Sequence, residues 1–400
     1  MTVRVVITGA GTINPLGASV AETFAAFREG RSAIGALNIP DLDRLGIRIG
    51  AQVAGFEPES HFSARDAALM DRFSAFAVFA ARQAVAQSGL VFDGMLSERT
   101  GVILGSAGGG LASAEASFRA VFEARKPRVH PFTVPRLMAN AAAAHLSIAF
   151  NLQGPAYSVS TACAASNHAM GQAFHLIRGG GATAMLTGGS EAMLTFGGIK
   201  AWEGLRVLSP DGCRPFCASR NGMVMGEGAA VFVFEERGHA MARGAEILAE
   251  VAGFGMSADA GDIVLPNVRG AVRAMQAALR DGGLNAQDIG YINAHGTGTL
   301  ANDRVESAAI GRVFAAGPLV SSTKSAHGHL IGGTGAVELL ACLMALQTGE
   351  IAPTLGFQHP DADCALTLVT GAARQAKVSA CLSNAFAFGG MNAVLALRKA

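Results

Sequence analysis

Short apolar runs that end at glycine or small polar residues recur along this chain. Val3–Thr8 is rich in β-branched residues and leads into Gly9, and Thr100–Leu104 leads into a loop of glycines. Ala156–Thr161 precedes another stretch of small residues. Compact runs bounded by turn residues are typical of strands buried in a sheet. The pattern therefore predicts three strands in the first part of the chain.

Helical periodicity separates these runs. Asp66–Ser88 has apolar residues at helical spacing and is followed by Gly89, which suits the C-terminal end of a helix. A second predicted helix, from about Ala164 to Arg178, follows the third strand. Alternation of strands and helices predicts an α/β protein in which helices cover both faces of a sheet.

The second part of the chain repeats this plan. Ile247–Phe254 predicts a strand, Gly270–Arg280 a helix, and Ile289–Ala294 a strand that leads into a glycine–threonine loop. The residues before Cys163, Val-Ser-Thr, are echoed by Val-Ser-Ser-Thr before Lys324, and a glycine-containing helix is predicted after each. This weak repeat of roughly 160–190 residues is too long for a solenoid. It predicts two duplicated halves, residues 1–245 and 246–400, which pack as one body.

Composition narrows the possible functions. Apolar residues make up 50% of the chain and the formal net charge is +1, so we expect no nucleic-acid partner. The apolar runs fall short of the roughly 18 residues of a membrane span, so no membrane insertion is expected. The six cysteines lack paired Cys-x-x-Cys spacing, and no signal-peptide pattern precedes the first strand. These features predict a reduced, cytoplasmic protein.

Candidate chemistry begins with Cys163, which lies where a strand turns into a helix. Unpaired N–H groups and the helix dipole at such a position are expected to lower the pKa of a thiol and favour the thiolate nucleophile. The alternative is an inert cysteine buried among alanines. The sequence around Cys163 alone does not separate the two.

Two histidines and a lysine supply the remaining candidates. His295 opens a Gly-Thr-Gly-Thr loop after a strand, and His329 lies among glycines; each has the alternative of holding its own loop by hydrogen bonds. Lys324 lies in an apolar stretch and needs a counter-charge, for which Glu338 is the nearest candidate. Two pairs, His327 with His329 and Cys213 with Cys217, raise the alternative of a metal site. Neither pair has further ligands nearby to complete a coordination set, so no metal is expected.

The order of these motifs resembles that of one enzyme family. A Cys, a His-Gly-Thr-Gly-Thr and a Lys-x4-His series, followed by Asn384–Gly390, is similar to the elongating β-ketoacyl-acyl-carrier-protein synthases of the thiolase superfamily. Ser325–His329 and the C-terminal motif are most similar to the nodulation-protein-E-like branch. The resemblance covers essentially the whole chain. It implies a thiolase fold, in which two pseudo-repeated βαβ-rich halves stack as a five-layer α-β-α-β-α body.

The resemblance also implies roles for individual residues. Cys163 would accept the acyl chain, and the backbone N–H groups of Cys163 and Phe388 would form the oxyanion hole. His295 and His329 would bind the malonyl thioester carbonyl and favour decarboxylation. The other implied roles are those of Lys324 with Glu338 in organising the site around His329, Thr297 and Thr299 in contacting the phosphopantetheine arm, and Phe388 in gating.

Partners and cofactors follow from the same resemblance. The implied partner is an acyl carrier protein bearing acyl and malonyl thioesters, the implied assembly is a homodimer, and no organic cofactor is needed. Whether a monovalent cation binds near Glu338 is left open by the sequence. Two other readings also stay open: a thiolase that uses Cys381 as its base, and a non-catalytic chain-length subunit, in which the residue at position 163 is typically replaced.

The chain departs from the family pattern at several positions. Cys217 and Asn221 stand where relatives usually have acids, which puts the usual salt links of that loop in doubt. Ala387 stands where glycine is common, so the gate loop is expected to be stiffer. Met391 replaces a usual threonine. The three primary catalytic positions are intact.

Overall fold

The computed structural model describes residues 3–400. The strands are β1 (Val5–Ile13), β2 (Gly35–Ala36), β3 (Ile49–Gly50), β4 (Thr100–Gly105), β5 (Ala156–Val159), β6 (Ala184–Glu191), β7 (Gly228–Glu236), β8 (Ala249–Ala258), β9 (Ile289–Asn293), β10 (Leu319–Ser321), β11 (Glu350–Ile351), β12 (Thr367–Leu368), β13 (Arg374–Gln375), β14 (Ala380–Ala387) and β15 (Met391–Arg398). The helices are α1 (Val20–Glu29), α2 (Ala64–Leu69), α3 (Arg72–Ser88), α4 (Gly94–Glu98), α5 (Leu111–Phe118), α6 (Thr133–Leu137), α7 (Ala141–Phe150), α8 (Ala165–Arg178), α9 (Phe196–Gly204), α10 (Arg237–Ala242), α11 (Val268–Gly282), α12 (Leu300–Val313), α13 (Lys324–His327) and α14 (Thr334–Thr348).

The large sheet reveals the internal repeat. Its strand order is β12-β10-β9-β14-β15-β8-β1-β7-β6-β4-β5. Apart from β12, which is added at the outer edge of the second half, the order β5-β4-β6-β7-β1 in the first half matches β10-β9-β14-β15-β8 in the second. The halves join where β1 pairs antiparallel with β8, from Val5 opposite Val251 to Ile7 opposite Ala249. The predicted duplication is therefore a duplication of topology.

Helices divide the molecule into layers. Helices α3 and α7 cover the outer face of the first half, and α11 and α12 cover the outer face of the second. Helices α8 and α14 pack between the two half-sheets and contact strands of both. This arrangement confirms the predicted five-layer α/β fold. The division at residues 245 and 246 stays a prediction.

The middle layer is strongly apolar. Every residue from Thr334 to Leu346 in α14 is buried. Within the described residues, Ile331–Thr348 is the one helical stretch long and apolar enough to cross a membrane, and 89% of it is buried inside the protein. Its composition is that expected of a core helix packed on all sides.

Two predicted elements differ from those observed. The helix predicted over Asp66–Ser88 is two helices, because Met70 and Asp71 adopt extended backbone and the Asp71 carboxylate accepts the Phe73 N–H at 3.3 Å. A side-chain cap of this kind begins a new helix. The third predicted strand ends at Val159 and forms an exposed edge of the sheet, so it is not buried throughout.

Candidate active site

Three reactive side chains from the two halves meet at one point. Cys163 Sγ and one ring nitrogen from each of His295 and His329 all lie within 4.8 Å of one another. His329 Nε2 is 3.1 Å from Cys163 Sγ, and the two imidazole rings are nearly perpendicular with centroids 5.5 Å apart. All three residues are buried. The fold thus brings together residues that are 132 and 166 positions from Cys163 along the chain.

Cys163 lies in a short turn, Ala162–Ala164, immediately before α8. Ala162 has a φ of 47°, a left-handed conformation that a residue with a side chain rarely adopts. The expectation that the helix start lowers the thiol pKa is wrong. Burial raises the pKa of Cys163 to about 12, and the positive charge of Lys324 offsets this only in part. The desolvation of an ion in this enclosed position outweighs the favourable dipole.

Hydrogen bonds fix the protonation of His329. The Ile331 N–H donates to His329 Nδ1 at 3.1 Å, and the Thr334 hydroxyl lies 2.8 Å from the same atom. A backbone N–H can only donate, so Nδ1 must accept. In the neutral ring the proton is therefore on Nε2, which faces the sulfur of Cys163.

Lys324 fixes the protonation of His295 in the same way. Its ammonium group lies 3.3 Å from His295 Nδ1, also donates to the His295 carbonyl, and pairs with Glu338 at 2.5 Å. Lysine has no acceptor, so His295 also carries its proton on Nε2. The predicted Lys324–Glu338 pair is present, but it organises His295. The prediction that it organises His329 is wrong, because Thr334 and Ile331 hold that ring.

Both imidazoles are neutral. Burial lowers the pKa of His295 and of His329 well below the usual value, and the nearby charge of Lys324 lowers both further. With each Nδ1 occupied by a donor, each Nε2 carries hydrogen and has no lone pair to offer a metal ion. The cluster is therefore arranged to donate two N–H hydrogen bonds to a developing negative charge.

A cavity of about 90 Å³ leads to these atoms from the surface. Thr297 and Thr299 line it, with their hydroxyls 2.9 Å apart. Phe388 also lines the cavity, and its ring stacks on Trp202 with centroids 5.8 Å apart. All the residues predicted to contact a substrate thus border the same space. Glu338 lies behind it, beside Lys324.

Buried carboxylates position the loops around this cavity, and sequence reasoning missed them. Glu306 accepts the N–H groups of His295 at 2.8 Å and of Gly296 at 2.7 Å. Asp303 accepts the Gly298 N–H at 3.2 Å. Both lie on α12, one helical turn apart, so their i, i+3 spacing was the available signal. What they bind is set by tertiary packing, which spacing does not reveal.

Four buried side-chain oxygens in β9, β14 and α14 lack a hydrogen-bond partner within residues 3–400. They are Asn293 Oδ1, Glu338 Oε2, Ser383 Oγ and Asn384 Oδ1. Asn293 and Ser383 are neighbours across β9 and β14.

The loop with the two missing acids still has ion pairs. Arg214 bonds Asp211 at 2.8 Å, and Arg220 bonds Asp361 and lies 3.7 Å from Asp303. Cys217 accepts hydrogen bonds from the backbone N–H groups of residues 358 and 359 at 3.3 and 3.4 Å. At the gate, Ala387 has ordinary extended backbone with φ −110°, so its Cβ fits without strain.

Comparison with known proteins places the chain in a family. The model described as "Beta-ketoacyl synthase, N-terminal domain" matches residues 2–240, and "Beta-ketoacyl synthase, C-terminal domain" matches residues 248–358. The chain belongs to the β-ketoacyl synthase family. Members of this family are condensing acyltransferases, so the predicted enzyme class is confirmed.

Relatives of this β-ketoacyl synthase align over its full length. It is 48% identical to nodulation protein E of Rhizobium sp. (strain N33), over 99% of both chains. It is 39% identical to 3-oxoacyl-[acyl-carrier-protein] synthase 2 of Synechocystis sp. (strain ATCC 27184 / PCC 6803 / Kazusa), over 99% of this chain and 98% of that one. Among solved structures, the ishigamide ketosynthase/chain length factor superposes with a TM-score of 0.95 at 35% identity, over 100% of both chains. These matches confirm the predicted family and the similarity to the nodulation-protein-E-like branch.

Proposed function

We propose that this β-ketoacyl synthase takes an acyl group from a carrier-protein thioester onto Cys163 and condenses it with malonyl-acyl carrier protein. The product is a 3-oxoacyl-acyl carrier protein, one two-carbon step longer. The observation that carries the proposal is the pair of Nε2–H groups directed at the space beside Cys163 Sγ. Names of relatives such as 3-oxoacyl-[acyl-carrier-protein] synthase 2 support the same substrate class.

Acyl transfer is the first half-reaction. The sulfur of Cys163 bonds to the acyl carbon, the bond to the phosphopantetheine sulfur breaks, and the thiol proton passes to that leaving sulfur. Because burial raises the pKa of Cys163 to about 12, the thiol stays protonated until the thioester arrives. The His329 Nε2–H, 3.1 Å away, then stabilises charge that develops on the sulfur. The backbone N–H groups of Cys163 and Phe388 serve as the oxyanion hole.

Decarboxylative condensation is the second half-reaction. The bond between the malonyl carboxylate and its α-carbon breaks, carbon dioxide leaves, and the electron pair becomes an enolate. The Nε2–H groups of His295 and His329 donate to the enolate oxygen, where neutral donors stabilise charge that exists only transiently. The α-carbon then attacks the acyl thioester on Cys163, the bond from the acyl carbon to sulfur breaks, and the Cys163 thiolate takes up a proton from solvent.

The remaining residues serve binding and positioning. Thr297 and Thr299 bind the phosphopantetheine arm along the cavity. Phe388 closes the cavity over the acyl chain and moves when the chain enters. Lys324, held by Glu338, keeps His295 in the donating tautomer.

The proposed assembly is a homodimer acting in the cytoplasm. Among residues 3–400 no strand pairs with the outer edge of β5, which carries Tyr157. Residues 118–148 expose many apolar side chains. Those most exposed are Phe118, Phe122, Phe132, Val134 and Ile148. An open strand edge beside an apolar surface favours a second copy. Light scattering should give twice the 40.7 kDa chain mass, and a monomer at micromolar concentration would contradict this assembly.

Intact-mass analysis tests the chemistry. Wild-type protein incubated with a ladder of acyl-carrier thioesters should gain one acyl mass, with a preferred chain length, and Cys163→Ala should gain none. Cys381→Ala is the matched control and should acylate normally. Acylation that survives loss of Cys163 would contradict the proposal. Dependence on Cys381 together with preference for coenzyme A esters would favour a thiolase instead.

A further inference from the structure

Glu191 is a buried carboxylate that the proposed reaction leaves without a role. It ends β6 and has no exposed surface. Within residues 3–400 no lysine, arginine or histidine forms an ion pair with it. Burying a carboxylate without a counter-ion is costly unless several donors bind it. Burial raises the pKa of Glu191 to about 7, although the hydrogen bonds that it accepts lower it. A carboxyl group kept at this cost calls for a specific reason.

Donors from two separate loops surround the carboxylate. The N–H of Ala107 lies 2.7 Å away, the N–H of Gly108 3.2 Å and the Ser106 hydroxyl 3.2 Å. These three belong to the glycine loop after β4. The fourth donor is the N–H of Gly332 at 3.1 Å, which lies in the turn that follows His329.

Gly332 is held at both its N–H and its carbonyl group. The Ser166 hydroxyl donates to the Gly332 carbonyl. Ser166 lies in the first turn of α8, three residues after Cys163. A Cβ at position 332 would lie 2.3 Å from the Ala107 nitrogen and 2.7 Å from the Glu191 carboxylate. Only glycine permits this close approach.

The residue before Gly332 carries the strain. Ile331 has a φ of 46°, which is unfavourable for a β-branched side chain and persists only where surrounding contacts enforce it. This conformation places the Ile331 N–H on His329 Nδ1 at 3.1 Å. The Thr334 hydroxyl on the same atom can donate or accept, so the Ile331 N–H is the contact that fixes the Nε2–H tautomer. That contact depends on a backbone conformation that the chain would not adopt by itself.

We propose that Glu191 is a positioning residue for the condensation. By accepting the Gly332 N–H it holds Ile331 in its left-handed conformation, and this conformation keeps the His329 proton on Nε2. The inference rests on the proposed function. The carboxylate acts on the reaction through three consecutive links, Gly332, Ile331 and His329. It touches no substrate atom.

Carbon dioxide release from malonyl-acyl carrier protein tests this role. In Glu191→Gln the amide turns an NH2 group toward N–H donors, so the grip weakens, and release should fall on the order of 10²-fold. KM for the malonyl thioester should change little. Asp71→Asn is the matched control, since Asp71 is also buried and accepts two backbone N–H groups, and it should keep wild-type release.

A rescue experiment separates positioning from general structural damage. Ile331→Gly removes the cost of the left-handed conformation, so adding it to Glu191→Gln should recover much of the lost release. NMR of protein labelled with 15N-histidine should show the Nε2–H tautomer of His329 in wild type and its loss in Glu191→Gln. If Glu191→Gln fails to fold, Ser166→Ala removes the hydrogen bond to the Gly332 carbonyl instead, and it should give a smaller decrease with the same NMR signature.

The outcomes distinguish a failure of the proposed function from a failure of the inference about Glu191. If wild-type protein releases no carbon dioxide, the proposed function fails. If wild type is active but Glu191→Gln matches Asp71→Asn in rate and tautomer, the inference about Glu191 is overturned and the function stands. A loss of activity that Ile331→Gly does not relieve, with the tautomer unchanged, would also overturn it.

Discussion

The two halves of this synthase share one topology and differ in chemistry. In each half a buried carboxylate accepts two consecutive backbone N–H groups of one loop. Glu191 binds the loop that follows β4, and Glu306 binds the loop that follows β9. The second loop carries His295, and the first carries no reactive side chain. After the next strand, the first half places Cys163 and the second half Lys324. The two halves thus share a frame, and in the proposed reaction the first half supplies the nucleophile and the second half supplies both histidines.

The largest effect is expected where the second half fixes a tautomer. Lys324→Met removes the donor at His295 Nδ1 and leaves Glu338 buried without its partner. Carbon dioxide release from malonyl-acyl carrier protein should fall on the order of 10³-fold, while acylation of Cys163, measured by mass, should persist. Lys200→Met, on the surface, is the control. Equal losses in both half-reactions would mean that the halves do not divide the chemistry.

A smaller effect is expected from the carboxylate under the His295 loop. Glu306→Gln weakens the bonds to the N–H groups of His295 and Gly296, so His295 is less well placed. Release of carbon dioxide should fall on the order of 10²-fold, and acyl transfer should be nearly unchanged. An acyl-transfer defect as large as the decarboxylation defect would contradict the division of labour.

The smallest effect concerns a contact between the halves. Burial raises the pKa of Cys217, but the N–H groups of residues 358 and 359 and the Ser219 hydroxyl lower it more, to about 7. A thiol whose folded pKa lies below its unfolded value stabilises the fold above the unfolded pKa, near 9, and loses this contribution as pH falls through 7. The free energy of unfolding of wild type relative to Cys217→Ser should therefore increase from pH 7 to pH 9. Denaturant titrations at several pH values measure this, and a flat difference would contradict the ionised thiol.

Cys163 and Cys217 show what the sequence could and could not predict. The strand that precedes Cys163 and the helix that follows it were predictable from apolar periodicity, and so was the convergence of its motif with His295 and His329 by family resemblance. The acidity of the thiols was not. Cys163 begins a helix and has a raised pKa, whereas Cys217 lies in a loop and has a lowered one, because burial and direct N–H donors decide. Such donors come from residues distant in sequence, as at Glu191.

The break at Met70 and Asp71 teaches a related lesson. The helical spacing of apolar residues continues from Asp66 to Ser88 without a sign of the break. The Asp71 carboxylate nevertheless caps a new helix that begins at Arg72. The partner of Lys324 was correctly found from charge balance. The histidine that it contacts was not, since the sequence does not show which of the two rings lies next to the ammonium group. The sequence shows that a buried charge such as Lys324 needs a partner, and the packing of the folded chain decides which histidine lies next to it.

One measurement tests the central claim directly: carbon dioxide release from malonyl-acyl carrier protein by Cys163→Ala and by His295→Ala, compared with wild type. The account predicts that the cysteine variant, which keeps both Nε2–H donors, still decarboxylates although it cannot condense, and that the histidine variant loses decarboxylation. Undiminished release from His295→Ala would contradict it.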